Sequence, residues 1–186
     1  DLRTVMEADL VIYAGYENMV PRLTEAAGNS AARTLQIQTV HSLPIIARSV
    51  RAIAGLLGTE EEAEASLRAI RAFLDEWRAQ IVASGLTDRP VVVHFHQRAL
   101  AEELGLTVAG VFGPAPLEAR QIDELTRTRP ALIIDNGHNP VAAPIAETTG
   151  APVATWYNFP GVAETRSIPD MLALNRAALE EVWQGE

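Results

Sequence analysis

Apolar and polar positions follow two rhythms along this chain, and the rhythm changes where turn-forming residues fall. Positions 10–14 (LVIYA) form a short apolar run closed by Gly15, and 35–40 (LQIQTV) alternate at period two, so both predict strands. Between them Met19, Val20, Leu23 and Ala27 recur at helical spacing ahead of Gly28, which predicts a helix over 18–27. Ile45, Ile46, Val50, Ile53, Ala54 and Leu57 recur every three to four residues between Pro44 and Gly58, predicting a helix over 44–57. Thr59 followed by Glu62 has capping-box form and opens a long helix to about Val82, with Ala63, Leu67, Ile70, Leu74, Trp77 and Ile81 on one face. That stripe reads as core, and the acidic residues Glu60, Glu61, Glu62 and Glu64 as a solvated first turn that complements the helix dipole.

Beyond it the chain alternates. Strands are expected over 91–95, 108–112, 131–134 and 153–157, and helices over 98–104, 117–126, 141–148 and 169–183. Near-continuous apolar strands separated by helices imply parallel pairing with both faces covered, an α/β architecture. Sheets of this kind bind ligands in the crevice beyond the carboxyl ends of their strands.

Composition narrows the partners. A formal charge of −9, from 24 acidic against 15 basic residues, repels nucleic-acid phosphates and anionic lipid heads, so no nucleic acid is expected as a partner. Every basic residue is Arg; without Lys there is no Schiff-base or phosphate-loop lysine. Without Cys there is no disulfide, thiolate metal site or cysteine nucleophile. G-x-S-x-G, H-E-x-x-H and glycine-rich phosphate loops are missing as well, and no organic cofactor is expected. No apolar run approaches the roughly 20 residues that span a bilayer. Asp1 opens into an amphipathic segment without a signal-peptide pattern, as in a cytoplasmic protein or a mature or trimmed piece of an exported one.

The four histidines, His41, His94, His96 and His138, all fall at or just after the carboxyl end of a predicted strand. Imidazole combined with carboxylate or amide oxygen suits Zn²⁺, Mn²⁺ or Fe²⁺, and donors from several strand ends converge where the crevice is expected. Each also has a structural reading. A histidine beside a strand is commonly a hydrogen-bonded packing group, and Asp135, Asn136 and Asn139 suit helix capping. On a regular strand His94 and His96 would share one side.

Several segments, taken together, resemble the zinc and manganese solute-binding proteins of ABC importers, two parallel-sheet lobes joined by a long helix. ADLVIYAGYE resembles the family's strand that opens on Ala-Asp and ends at a Gly. The helix from Pro44 and the long helix after it resemble the connector. HFHQRALAEELGL, Gly113 to Pro116, LIIDNGHNP, IAETTGAPV and NFPG come in the family's order, and MLALNRAALEEVW is similar to its closing helix, with Asn175 matched.

The resemblance implies the end of a first, incomplete lobe over 1–43, a helical connector over 44–84 and a carboxy-terminal α/β lobe over 85–186. It places His94 at the family's third ligand position and His41 near the second, where SLP replaces the usual aromatic residue and Asp-Pro. Asn158 stands where the family usually has Asp, and Asp135, His138 or His96 are the candidates to make up the donor set. The family's first ligand would precede Asp1. The resemblance thus implies a non-enzymatic, periplasmic or lipid-anchored extracytoplasmic protein that takes a divalent ion, Zn or Mn, and presents it to an ABC importer permease; an open sheet edge would permit a dimer. The rivals are a binding protein for a metal chelate or small organic molecule, with Trp156 and Tyr157 as an aromatic wall, an α/β hydrolase-type enzyme using His94 or His96 with Asp135, and a homologue that has lost its ligand.

Overall fold

The computed structural model describes residues 4, 7–14 and 33–183. The helix expected over 18–27 lies outside the described residues. The chain divides into two compact units, Asp1–Leu67 and Arg68–Glu186.

In the first unit, β1 (Leu10–Tyr13) and β2 (Arg33–Gln36) pair in parallel, Leu10 opposite Arg33 and Tyr13 opposite Gln36. The second strand lies earlier than its alternating pattern at 35–40 suggested. Its ladder lasts only as long as β1 supplies partners, and the last backbone bond runs from Ile37 N–H to Tyr13 O at 2.8 Å. Helix α1 (Leu43–Leu57) comes next, with Pro44 in its first turn. It stops at Gly58, whose φ of 70° is left-handed backbone that glycine adopts without a Cβ penalty. Arg51 on α1 pairs with Glu64 through two bonds, Nε to Oε1 at 2.6 Å and Nη2 to Oε2 at 3.0 Å.

Helix α2 (Glu60–Ala83) starts in the first unit and ends in the second. Its predicted stripe is buried throughout, from Ala63 and Leu67 to Ile70, Leu74, Trp77 and Ile81, while Glu60, Glu61 and Glu62 are exposed.

The second unit is built on a four-stranded parallel sheet of order β4-β3-β5-β6: β3 (Pro90–His94), β4 (Thr107–Phe112), β5 (Leu132–Asn136) and β6 (Val153–Trp156). The central strands are the most apolar; Val91, Val92, Val93, Leu132, Ile133 and Ile134 are all fully buried. Helices α3 (Arg98–Glu103), α4 (Ala119–Arg127), α5 (Ala143–Thr149) and α6 (Ile168–Val182) supply the crossovers and the closing helix. One face carries the cluster of Val92, Phe112, Ile133, Leu125 of α4 and Ile145 of α5. On the other, the indole of Trp77 meets that of Trp156 with centroids 5.3 Å apart.

Two details position the site. Val91 pairs with Val108 but Val92 pairs with Gly110, so Ala109 is an extra residue, a bulge that brings Phe112 opposite His94. And β4 joins β3 on one side while β5 joins it on the other, so the order of strands reverses between β3 and β5. At such a switch point the loops part and leave a crevice.

Candidate metal centre at the carboxyl ends of the second sheet

His94 ends β3 at the switch point. Strand alternation gives it the same face as Val92, and its register neighbours are Phe112 and, by one step beyond the Val93–Ile134 pair, Asp135. The side chain is fully buried, its ring standing edge-on to Phe112 with centroids 5.6 Å apart. His94 also caps the short 3-10 turn Phe95–Gln97: His96 N–H donates to His94 Nδ1 at 3.2 Å. The strand therefore stops one residue earlier than the expected 91–95, and His96 leaves the strand's alternation. It is exposed, its ring centroid 5.3 Å from that of His94. Burial first, then the neighbouring His96, hold His94 below the ordinary imidazole value, against the opposing pull of Asp135.

The other nitrogen of His94, Nε2, is buried with no hydrogen-bond partner. It faces Gly113, where an added Cβ would come within 2.5 Å of it, and Gly113 has φ of 72°. An orphaned imidazole nitrogen before a position kept free of side chain suits an ion bound to that nitrogen at ~2.0–2.1 Å.

Asp135 lies on β5, which runs two residues further than its apolar run suggested. Its carboxylate accepts Asn136 N–H at 2.8 Å, Val141 N–H at 3.1 Å and Ala142 N–H at 2.9 Å. It holds the turn into α5, and among the described residues no hydrogen bond joins it to His94 or His96. Asn136 Oδ1 accepts His138 N–H at 3.0 Å, and Asn139 Nδ2 donates to Pro114 O at 2.7 Å, tying the β5 loop to the β4 loop.

His138 stacks on Phe159 with centroids 3.8 Å apart and meets Tyr157 edge-on at 5.3 Å. Asn158, between those two aromatic residues, has its Oδ1 buried without a partner. Trp156 cannot wall a ligand as the sequence suggested: it is fully buried against Trp77, because alternation turns it to the opposite face of the sheet from His94.

His41 belongs to the first unit and is described by itself. It lies before Ser42, the N-cap of α1, rather than at the end of β2. It is buried, its Nδ1 has no partner, and burial lowers its pKa to about 4, which keeps the ring neutral and its lone pair available. Among the described residues no three His, Asp or Glu side chains are grouped so as to hold an ion by themselves.

Pattern alone assigned no role to Gly113, which entered only as part of a family-like segment, or to Gln97, which is buried and donates to Trp156 O at 3.1 Å. Phe159 likewise carried no signal of its own.

No protein-family model matches the chain, and no curated protein matches it in sequence. Solved structures do match in fold. The laminin-binding protein Lbp of Streptococcus pyogenes superposes with a TM-score of 0.72 at 19% identity, over 100% of this chain and 84% of Lbp. The Zn(II)-bound mutant variant of AdcAII of Streptococcus pneumoniae gives 0.69 at 16% identity, over 98% and 83%. The SBP FpvC from Pseudomonas aeruginosa, in complex with Mn²⁺, gives 0.65 at 18%, over 99% and 82%. The chain has the fold of these proteins, which include metal-bound solute-binding proteins. No described helix is long and apolar enough to cross a membrane.

Proposed function

We propose that this chain is a binding protein without catalytic turnover, which captures a divalent transition-metal ion outside the cytoplasm and presents it to an ABC importer permease. One observation carries the reading: His94, fully buried at the switch point, has an Nε2 without a protein partner facing the side-chain-free Gly113. His96, His138, Asp135 and Asn158 are the remaining candidates beside His94, and His41, buried in the first unit with its Nδ1 unpartnered, stands as a candidate donor by itself. The likeness in fold to AdcAII with zinc and FpvC with Mn²⁺ supports the same class of ligand. The Asp135 carboxylate is taken up by backbone N–H groups and hydrogen-bonds neither imidazole, which argues against a base and orienting-carboxylate pair.

Zinc added in stoichiometric amount should raise the melting temperature of the full chain, because a ligand bound only by the native state stabilises it by mass action. The reading is wrong if His94→Ala leaves both that shift and the affinity measured by calorimetry unchanged. A second reading, a chelate or small organic ligand, draws on the exposure of Phe95 and Phe159, 56% and 49%. Native mass spectrometry of protein purified without added metal distinguishes the two by the mass carried.

A further inference from the structure

His138 is prepared for a role that its place in a loop does not announce. Its Nε2 lies 3.3 Å from Phe159 O. A carbonyl oxygen can only accept, so Nε2 carries the proton, and in the neutral ring Nδ1 holds the lone pair. No described residue bonds to Nδ1. Stacking on Phe159 and the edge of Tyr157 fix the ring plane. Tying one imidazole nitrogen to a backbone carbonyl is how a protein sets the tautomer and direction of a ligating histidine. The two aromatic residues that hold this ring flank Asn158, whose Oδ1 is buried and unpaired. The nearby carboxylate of Asp135 is engaged by three backbone N–H groups.

Resting on the metal-binding reading, we propose that His138 Nδ1 and Asn158 Oδ1 complete the donor set begun by His94 Nε2. The site would then be made of uncharged donors and would select zinc or nickel over manganese. Imidazole nitrogen favours ions late in the divalent series, whereas a hard ion such as Mn²⁺ relies on charged oxygen ligands. Asn158 provides oxygen but no charge.

The test is a competition titration of the full chain with Zn²⁺, Ni²⁺ and Mn²⁺ against a chromogenic chelator, with melting of each metal-free variant as a check on folding. Wild type should bind zinc or nickel at least ~100-fold more tightly than manganese. His138→Ala should weaken zinc ~10- to 100-fold, while His138→Phe, which keeps the stacking on Phe159 and lacks the ring nitrogen, should weaken it equally with little change in the metal-free melting temperature. Asn158→Asp, which supplies the missing charge, should strengthen manganese and narrow the gap. Manganese bound as tightly as zinc, or zinc affinity unmoved by His138→Ala, overturns this inference while leaving the metal-binding reading intact. Wild type that binds none of the three ions overturns both.

Discussion

Asn175 grips the peptide of Tyr157 with both ends of its amide: Oδ1 accepts Tyr157 N–H at 2.7 Å and Nδ2 donates to Tyr157 O at 2.9 Å. Tyr157 is the first residue past β6, an outer strand of the sheet, so the side chain from α6 continues the pairing that a neighbouring strand would have given. It holds the backbone leading into Asn158 and Phe159.

Because Asn175 is fully buried, Asn175→Ala strips partners from two backbone groups at once. A loss of about 2–4 kcal/mol is expected, from the cost of buried unsatisfied groups. Urea denaturation measures it. A loss below about 0.5 kcal/mol would show that water or a rearranged backbone replaces both bonds.

Gly113→Ala combines two faults, a side chain on left-handed backbone and a Cβ driven to 2.5 Å from His94 Nε2. About 1–3 kcal/mol of stability should go with the strain. Zinc affinity should fall by more than that strain explains, since the Cβ occupies the approach to the nitrogen. Calorimetry and denaturation on the same protein separate the two effects; unchanged affinity would remove Gly113 from the site.

His41 makes stability depend on pH in a defined direction. Its folded pKa of about 4 lies below the usual 6.5, so between these values the unfolded chain binds the extra proton. Stability is therefore full above about pH 6.5 and is lost as pH falls toward 4, by up to about 3 kcal/mol. Wild type and His41→Gln, denatured at pH 7 and pH 4.5, should differ in slope, with the variant flatter. Parallel slopes would mean that water reaches the ring.

His94 and His138 should respond differently to zinc. Nδ1 of His94 accepts the His96 amide proton at 3.2 Å, so its neutral ring carries its own proton on Nε2. An ion at Nε2 moves that proton to Nδ1 and breaks the bond, at a cost of roughly 1 kcal/mol. The His96 amide resonance should shift strongly in a nitrogen-proton correlation spectrum on zinc addition. A stationary resonance would place the ion elsewhere.

Much of this architecture could be read from the residues because burial itself is periodic. The stripe from Ala63 to Ile81 on α2 and the apolar runs VVV and LII mark a covered helix face and central strands. Strand ends were harder, because they depend on partners distant in sequence. LQIQTV alternates well beyond the reach of β1, whereas Asp135 and Asn136 remain in β5 because Thr155 and Trp156 lie opposite. The site was legible as residue types and only partly as roles. His94 and His96 look equivalent in VVVHFH, yet the 3-10 turn buries one and exposes the other. Asp135 reads from the residues as a candidate ligand, and its hold on the turn into α5 depends on backbone groups up to seven positions on, while the stacking that directs His138 depends on Phe159, which is 21 positions away.

The surplus residue in β4 has a consequence for length. Since Ala109 stands outside the pairing, removing it would convert the bulge into a regular ladder and leave Gly110, Val111 and Phe112 opposite Val92, Val93 and His94. An insertion or deletion between Gly110 and Phe112 has no such slack and would exchange the aromatic wall of His94 for another side chain. A chain shortened by Ala109 alone should thus still present His94 opposite Phe112.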